Sequence, residues 1–259
     1  MKKLLFAFLF LSLSAYSFTL NNGAGAAFKK DVIKVNVAAH TCTNIGVTNS
    51  ELLSIAEEAV NLFWNRVATS KLEMIGGSIV TVASDFQTGQ VCTGSTSNCS
   101  PTPALVVSSD ILISCNTNAA NYSGSNEVLG VTVPNNISGA EIKGALVLVN
   151  DQAGNSFENK PHAAKVSIIA HEIGHALGLG HSPFREALMY AQFVEGRDRL
   201  ARDDMNGITW LYPEEEPDLG ICGSVDLDGH GQGSPLSMLS GLLIGFVLIV
   251  YGRKLLPRF

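Results

Sequence analysis

The segment "HEIGHALGLGH", residues 171–181, places three histidines at fixed offsets around one glutamate. On an α-helix, residues four positions apart lie on the same face, so His171 and His175 can direct their imidazoles at one ion. Gly178 favours the turn that ends a helix, and the chain can then return His181 to the same point. Three neutral nitrogen ligands leave one open position on a tetrahedral zinc ion, which is the arrangement of a catalytic zinc site.

Glu172 follows the first of these histidines and lies about 100° around the helix from it, beside the open position of the ion. Zinc lowers the pKa of a bound water towards about 7. A neighbouring glutamate can take the proton of that water as it attacks a carbonyl, and can later pass it to the departing amine. The full spacing H-E-x-x-H-x-x-G-x-x-H therefore predicts a zinc-dependent hydrolase rather than histidines on a solvated helix face.

The segment "HEIGHALGLGHS", followed by "ALMY", resembles the metzincin metallopeptidases and, within them, the matrixins, the matrix-metalloprotease group. The segment "LARDDMNGITWLY", residues 200–212, is similar to the C-terminal helix of matrixin catalytic domains. The resemblance covers about residues 30–213. It implies a zinc endopeptidase with one catalytic zinc, acting on extended peptide or protein substrates, and a tight turn that carries Met189 beneath the ion.

The same resemblance makes "VLGVTVP" the edge strand above the cleft. Free backbone groups on such a strand pair with an extended peptide by strand addition. The residues expected to make these contacts are Gly130, Val131 and Thr132.

Several features depart from the matrixin pattern. No histidine lies between Asn116 and Lys160, so the second, structural zinc of matrixins is not expected. In "MYAQF", Ala191 and Phe193 stand where the family usually has proline and tyrosine, which predicts an altered pocket. The segment "DLDGHGQG", residues 226–233, has a fragment of a calcium loop without its terminal glutamate, so calcium is possible but not supported.

The order of predicted elements is strand, helix, several strands and then two helices. A strand is expected at 32–37, a long amphipathic helix after the Thr48 cap, a helix at 161–177 and a short one at 202–212. This order predicts an α+β fold with a mixed sheet backed by helices. The resemblance specifies a metzincin-like domain with a mostly parallel twisted sheet, an antiparallel edge strand, an active-site helix and a C-terminal helix.

The ends of the chain predict export and membrane attachment. A lysine pair, a short apolar run and small residues indicate a signal peptide. Near the other end, an apolar segment precedes a basic tail, as in a single transmembrane span or a cleaved sorting signal. The predicted organisation is a signal peptide at 1–17, a leader at 18–31, the catalytic domain at 32–213, an acidic then Gly-rich linker at 214–234, the apolar segment at 235–252 and a cytoplasmic tail at 253–259.

Charge and cysteine content limit the function classes further. The chain has 17 Lys+Arg against 23 Asp+Glu and no basic run interleaved with aromatics, which excludes a typical nucleic-acid-binding protein. Its 5 cysteines are candidates for disulfides in an exported protein, and Cys92 with Cys99 is the favoured pair. The odd number leaves at least one thiol without a partner in the chain.

A second hypothesis is a catalytically idle cell-surface binding or adhesion protein that keeps the same fold. Decayed enzymes of this kind commonly lose the catalytic base. Glu172 is present, so the sequence favours the peptidase.

Overall fold

The computed structural model of the protein describes residues 18–40, 42–92, 102 and 105–214. The predicted signal peptide at 1–17, the apolar segment at 235–252 and the basic tail lie outside these residues. Within the described ranges, no helix combines the length and the hydropathy needed to cross a membrane.

The domain is built on a six-stranded sheet. Four strands lie side by side in the order β3, β2, β4, β6, and all their pairings are parallel. Strand β5 pairs with β6 in the antiparallel direction, and the short β1 pairs in parallel with the first residues of β6. The predicted mostly parallel sheet with an antiparallel edge strand is thereby confirmed. The strands are β1 (Ala27–Phe28), β2 (Val32–Ala38), β3 (Glu73–Val80), β4 (Asp110–Asn116), β5 (Gly130–Ser138) and β6 (Glu141–Asn150).

Over the described ranges, four α-helices accompany the sheet: α1 (Asn49–Leu62), α2 (Asp85–Thr88), α3 (His162–Ala176) and α4 (Arg202–Leu211). Helix α1 begins as predicted, because the Thr48 hydroxyl accepts a hydrogen bond from the Glu51 backbone N–H at 3.1 Å. Helix α3 begins directly after Pro161, which is in an extended conformation and precedes the first helical residue.

Two strands differ from their predicted bounds. The segment "SIVTVA", residues 78–83, predicts a strand, but the observed strand begins five residues earlier, at Glu73. The strand expected to end at Pro134 continues to Ser138, through a register shift between Val133 and Asn136. A bulge of this kind lets a proline pass through an edge strand, since the missing N–H is not needed in the ladder there.

The central strands β4 and β6 divide the interior into two hydrophobic clusters. Ile111 and Val147 face the larger cluster, which contains the apolar side chains of α1 and α3. Leu112 and Leu146 face the opposite side and contact a smaller cluster. The buried Trp64 indole N–H donates to a backbone carbonyl of α3 at 2.9 Å. Helix α3 is therefore held by packing in the larger cluster and by a buried hydrogen bond from Trp64, which follows α1.

Buried asparagine amides hold the connection that leads into β5. Asn150 and Asn155 both donate to the Val128 carbonyl, at 2.7 and 3.0 Å. Asn121 donates to the Asn116 side-chain oxygen at 2.9 Å. This bond joins the last residue of β4 to the segment that follows it. Since buried carbonyls need donors, these side chains fix the course of the chain before the edge strand.

A disulfide joins Cys42, after β2, to Cys115 in β4. The two cysteines are 73 residues apart in sequence, and only the adjacent placement of β2 and β4 brings them together. Sequence spacing alone did not identify this pair. Cys92 is also disulfide-bonded, but Cys99 lies outside the described residues, so the pairing of these two remains a prediction.

Asp151 anchors the loop that follows Cys42. This aspartate is fully buried at the end of β6. Its carboxylate accepts hydrogen bonds from three consecutive backbone N–H groups, those of Thr43, Asn44 and Ile45, at 3.1, 2.9 and 3.1 Å. The loop between β2 and α1 is thus hydrogen-bonded to the residue that follows β6.

We predict that Asp151→Ala lowers the free energy of unfolding by about 2–3 kcal/mol, because hydrogen bonds to a charged acceptor are lost and at least one buried N–H is left unpaired. The matched control is Asp31→Ala, at an exposed position, which should stay within about 0.5 kcal/mol of the wild type. Urea denaturation measures both. Equal midpoints for the two variants would contradict the anchoring role.

Candidate active site

The end of α3 and the turn after it bring the three histidines together. His171 and His175 lie one turn apart in α3, which ends at Ala176. Gly178 then adopts a φ of 113°, a conformation that glycine accepts at little cost. A Cβ at this position would lie 2.7 Å from the Ala26 carbonyl oxygen. The turn therefore requires glycine for both its backbone angle and its close packing, and it directs His181 back towards the helix.

The geometry of the three imidazoles fits a metal ion. One ligand atom from each histidine can be chosen so that all lie within 4.8 Å of one another. The Nε2 atoms of His175 and His181 are 3.2 Å apart. Two nitrogens bound to a tetrahedral zinc are separated by about 3.3 Å. Across the described part of the chain, this is the group of His, Cys, Asp and Glu side chains that could hold a metal.

Hydrogen bonds to backbone carbonyls fix the tautomers of two of the three histidines. The Nδ1 of His171 donates to the Leu188 carbonyl at 2.7 Å, and the Nδ1 of His175 donates to the Leu179 carbonyl at 2.8 Å. A carbonyl can only accept, so the ring proton lies on Nδ1 and the Nε2 lone pair faces the site. Burial, followed by the neighbouring His175, lowers the pKa of His171 to about 3. Burial lowers the pKa values of His175 and His181 as well, which favours the neutral, metal-binding form.

Residues predicted as a leader also support the site. The Gly180 N–H donates to the Thr19 carbonyl at 2.8 Å, and the Thr19 hydroxyl donates to the His181 carbonyl at 2.5 Å. The side-chain amide of Asn21 donates to the His175 carbonyl. This stretch therefore holds the loop between the second and third histidines, a role that its composition did not indicate.

Met189 is 2% exposed and packs against α3 from below. A Cβ at Gly174 would lie 2.4 Å from the Met189 sulfur, so the absence of a side chain at Gly174 allows this contact. The Ser182 N–H donates to the Met189 carbonyl at 2.8 Å and joins the methionine turn to the loop that carries His181. The turn predicted from the resemblance thus lies next to the histidines.

Asp204, in the first turn of α4, is an anchor that the sequence did not reveal. It is 2% exposed. Its carboxylate accepts from the backbone N–H groups of Leu188 and Met189 at 2.7 and 3.0 Å, and from that of Ala201 at 2.8 Å. The paired aspartates were visible in "ARDDMNGI", but nothing in their spacing indicated that one of them binds the methionine turn.

Arg197 is a second such residue. Its guanidinium donates to the Leu188 carbonyl at 3.1 Å and to the Arg185 carbonyl at 2.6 Å. The Leu188 carbonyl therefore accepts hydrogen bonds from both Arg197 and His171. This one carbonyl joins His171 to the loop of residues 191–197. No sequence signal points to this arginine.

An open cleft of about 860 Å³ lies over the histidines. Residues 128–132 at the start of β5 line one side, and residues 190–194 line another. Gly130, Val131 and Thr132 are all in this wall, although their contacts with a substrate remain a prediction. From "MYAQF", Ala191 and Phe193 line the cleft, and the Lys160 ammonium lies 4.7 Å from the centre of the Phe193 ring.

Glu172 lies at the floor of the cleft beside the histidines. It is 7% exposed, and its Oε2 accepts a hydrogen bond from the Thr132 hydroxyl at 2.6 Å. Burial raises the pKa of Glu172 to about 7, and the Thr132 hydrogen bond opposes that shift. Glu172 therefore lines the same cleft as the three histidines, with its own carboxyl group largely shielded from water.

The mostly parallel sheet with its antiparallel edge strand, and the helix and turn that carry three histidines, are consistent with a metzincin-type metallopeptidase domain. Residues 107–213 match the family model described as Matrixin. The chain is 48% identical over 48 residues to Metalloendoproteinase 2-MMP of Arabidopsis thaliana, which covers 18% of this chain and 13% of that protein. It is 47% identical over 58 residues to Stromelysin-1 of Rattus norvegicus, covering 20% and 12%. Residues 107–213 are therefore similar to a matrixin catalytic domain. Matrixins are zinc-dependent, and the three histidines described above could hold that metal.

A third relative, Matrix metalloproteinase-9 of Canis lupus familiaris, is 55% identical over 53 residues, covering 19% of this chain and 7% of that protein. The chain spans about an eighth of the length of the curated relatives it matches. The similarity to individual relatives is thus high but local.

We predict that Asp204→Ala weakens zinc binding about 10- to 100-fold, because the Leu188 carbonyl that orients His171 loses its anchored backbone. Stability should also fall by several kcal/mol, since three backbone N–H groups lose a buried acceptor. Competition with a zinc chelator and thermal unfolding measure the two effects. Asp198→Ala, with a side chain 81% exposed, is the control and should change neither. Unaltered zinc affinity in Asp204→Ala would show that the turn is held by other contacts.

Proposed function

We propose that the protein is a zinc-dependent endopeptidase that hydrolyses peptide bonds of extended peptide or protein substrates. The observation that carries this proposal is the convergence of three neutral histidines beside a buried glutamate in one open cleft. A binding protein that had lost its activity would have no need to keep a shielded carboxyl group at this position. The matrixin match over residues 107–213 supports the same reaction class.

His171, His175 and His181 would hold the ion through their Nε2 atoms. Zinc bound there would supply Lewis-acid polarisation of the scissile carbonyl and a water of lowered pKa. The protein contributes the orientation of the ligands, because the carbonyls of Leu188 and Leu179 bind the Nδ1 protons and prevent the rings from rotating.

Glu172 would act as the general base and then as the general acid. It would take the proton of the attacking water and deliver it to the departing amine. A pKa raised by burial to about 7 supports both roles, since a group that titrates near neutral pH can accept and release a proton with little cost.

The substrate would bind in extended form along β5. This strand pairs with β6 on one side, and its first residues line the cleft. A peptide added to the other side would bring its scissile bond over the histidines, with backbone contacts to Gly130, Val131 and Thr132. Residues 190–194 on the opposite wall would contact the substrate side chains.

We further propose that the protein is exported and acts at the cell surface, or is released after C-terminal processing. The Cys42–Cys115 disulfide supports this location, because disulfides persist in oxidising compartments outside the cytosol. The signal-peptide pattern of residues 1–17 and the apolar pattern of residues 235–252 are consistent with it.

We expect Glu172→Ala to retain one zinc per chain and to lose peptide hydrolysis by at least about 100-fold, because the general base is removed while the ligands remain. Cleavage of a quenched peptide library by the zinc-loaded protein, with metal analysis of the same samples, tests this. Glu195→Ala, at an exposed position, serves as the control and should cleave like the wild type. Hydrolysis at the wild-type rate by Glu172→Ala would disprove this mechanism, and an inactive zinc-loaded wild type would favour the binding protein.

In cells that express the full chain, we expect a mature N-terminus near Phe18 and a catalytic domain that added protease can reach. Mass spectrometry of the mature protein and protease treatment of intact cells measure these properties. The mass of the C-terminal fragment released by protease distinguishes a retained span from a cleaved sorting signal. A protein that keeps Met1 and is protected from protease would contradict export.

A further inference from the structure

Strand β5 crosses directly over the Glu172 side chain. The Thr132 hydroxyl donates to Glu172 Oε2 at 2.6 Å, and the carboxylate is almost fully buried at this contact. A short hydrogen bond to a shielded carboxylate is strong, because the charge of the acceptor is not screened by water.

Gly130 lies two residues before Thr132, and alternate residues of a strand point to the same face. A Cβ at Gly130 would lie 3.0 Å from the Cγ, Cδ and Oε1 atoms of Glu172. This is closer than side chains normally pack. The glycine therefore leaves the space that the carboxylate occupies, while the threonine two positions later binds it.

We propose that Thr132 is a positioning residue for Glu172: its hydroxyl holds Oε2 in place and leaves Oε1 as the oxygen that exchanges the proton. This inference rests on the proposed function of Glu172 as the general base. It assigns to the side chain of Thr132 a role distinct from the backbone contact with substrate that the sequence predicted.

The contact can persist through the whole catalytic cycle. When Glu172 is ionised, Oε2 accepts the hydroxyl proton as a carboxylate oxygen. When Oε1 carries the transferred proton, Oε2 is a carbonyl oxygen and still accepts the same bond. The proton can therefore arrive at and leave one defined atom, without rotation of the side chain between the two steps. Such preorganisation lowers the barrier of the reaction rather than the dissociation constant of the substrate.

The same strand would then perform two tasks. Its backbone edge would align the peptide, and one of its side chains would align the base. Since both are parts of β5, the position of the scissile bond relative to the Glu172 carboxylate is set within a stretch of three residues. The loss of the hydroxyl should therefore reduce kcat and leave KM almost unchanged.

The test compares Thr132→Val with Thr132→Ser in the zinc-loaded full chain. Valine keeps the shape of threonine but cannot donate, and we expect kcat for a quenched peptide to fall about tenfold or more while KM stays within about twofold. Serine keeps the hydroxyl and should restore most of the activity. Gly130→Ala, which displaces the carboxylate while the hydroxyl remains, should also lower kcat.

Thr209→Val is the matched control, because Thr209 is a half-buried threonine of α4 whose hydroxyl donates to the Met205 carbonyl and also bonds to the Thr69 hydroxyl, away from the cleft. It should cleave like the wild type. The zinc content of Thr132→Val should equal that of the wild type, because the hydroxyl is assigned to the base and not to the histidines. Its melting temperature should fall only by the loss of one buried hydrogen bond, so that the variant stays folded at the assay temperature. A loss of zinc would overturn the proposal.

The kinetic outcomes separate this proposal from the proposed function. An inactive Glu172→Ala beside a fully active Thr132→Val would overturn the role of Thr132 alone. A higher KM with unchanged kcat in Thr132→Val would also overturn it, since the threonine would then act in substrate binding. Equal losses in the valine and serine variants would show that side-chain shape, and not the hydroxyl, is responsible. Full activity of Glu172→Ala would overturn both proposals.

Discussion

The site depends on backbone carbonyls that bind the Nδ1 protons of the metal-facing histidines. A neutral imidazole carries one proton on two nitrogens, and it can coordinate a metal only if that proton is held on the other side of the ring. The Leu188 and Leu179 carbonyls meet this requirement for His171 and His175. Burial keeps the rings neutral, so the lone pairs face a common point before any ion binds.

Much of the surrounding structure positions these carbonyls. Asp204 binds the backbone on which Leu188 lies, and Arg197 bonds to the same carbonyl as His171. The backbone of Thr19 and Asn21 forms hydrogen bonds with the turn at Gly178 that places His181. Segments far apart in sequence therefore converge on a few hydrogen-bond acceptors. The roles of Asp204 and Arg197 can be recognised only from the tertiary structure.

The three histidines and Glu172 could be proposed from sequence as metal ligands and base because they are close together in it. A helix places residues four apart on one face, and one glycine after its end allows the chain to turn. The disulfide could not be predicted in the same way, because Cys42 and Cys115 meet only through the pairing of β2 with β4. The extent of β5 beyond Pro134 likewise depends on a bulge against β6.

The sequence by itself therefore determined the class of reaction to expect and the order of strands and helices, and it predicted three histidines as zinc ligands and Glu172 as the base, because each follows from local spacing or periodicity. Only the tertiary structure decided which groups orient those ligands and how the glutamate is held. The hydrogen bond between Thr132 and Glu172 joins residues that are 40 positions apart in sequence. The position of Asp204 beside the methionine turn depends on how α4 packs. Such contacts are set by the packing of whole elements, which no single segment encodes.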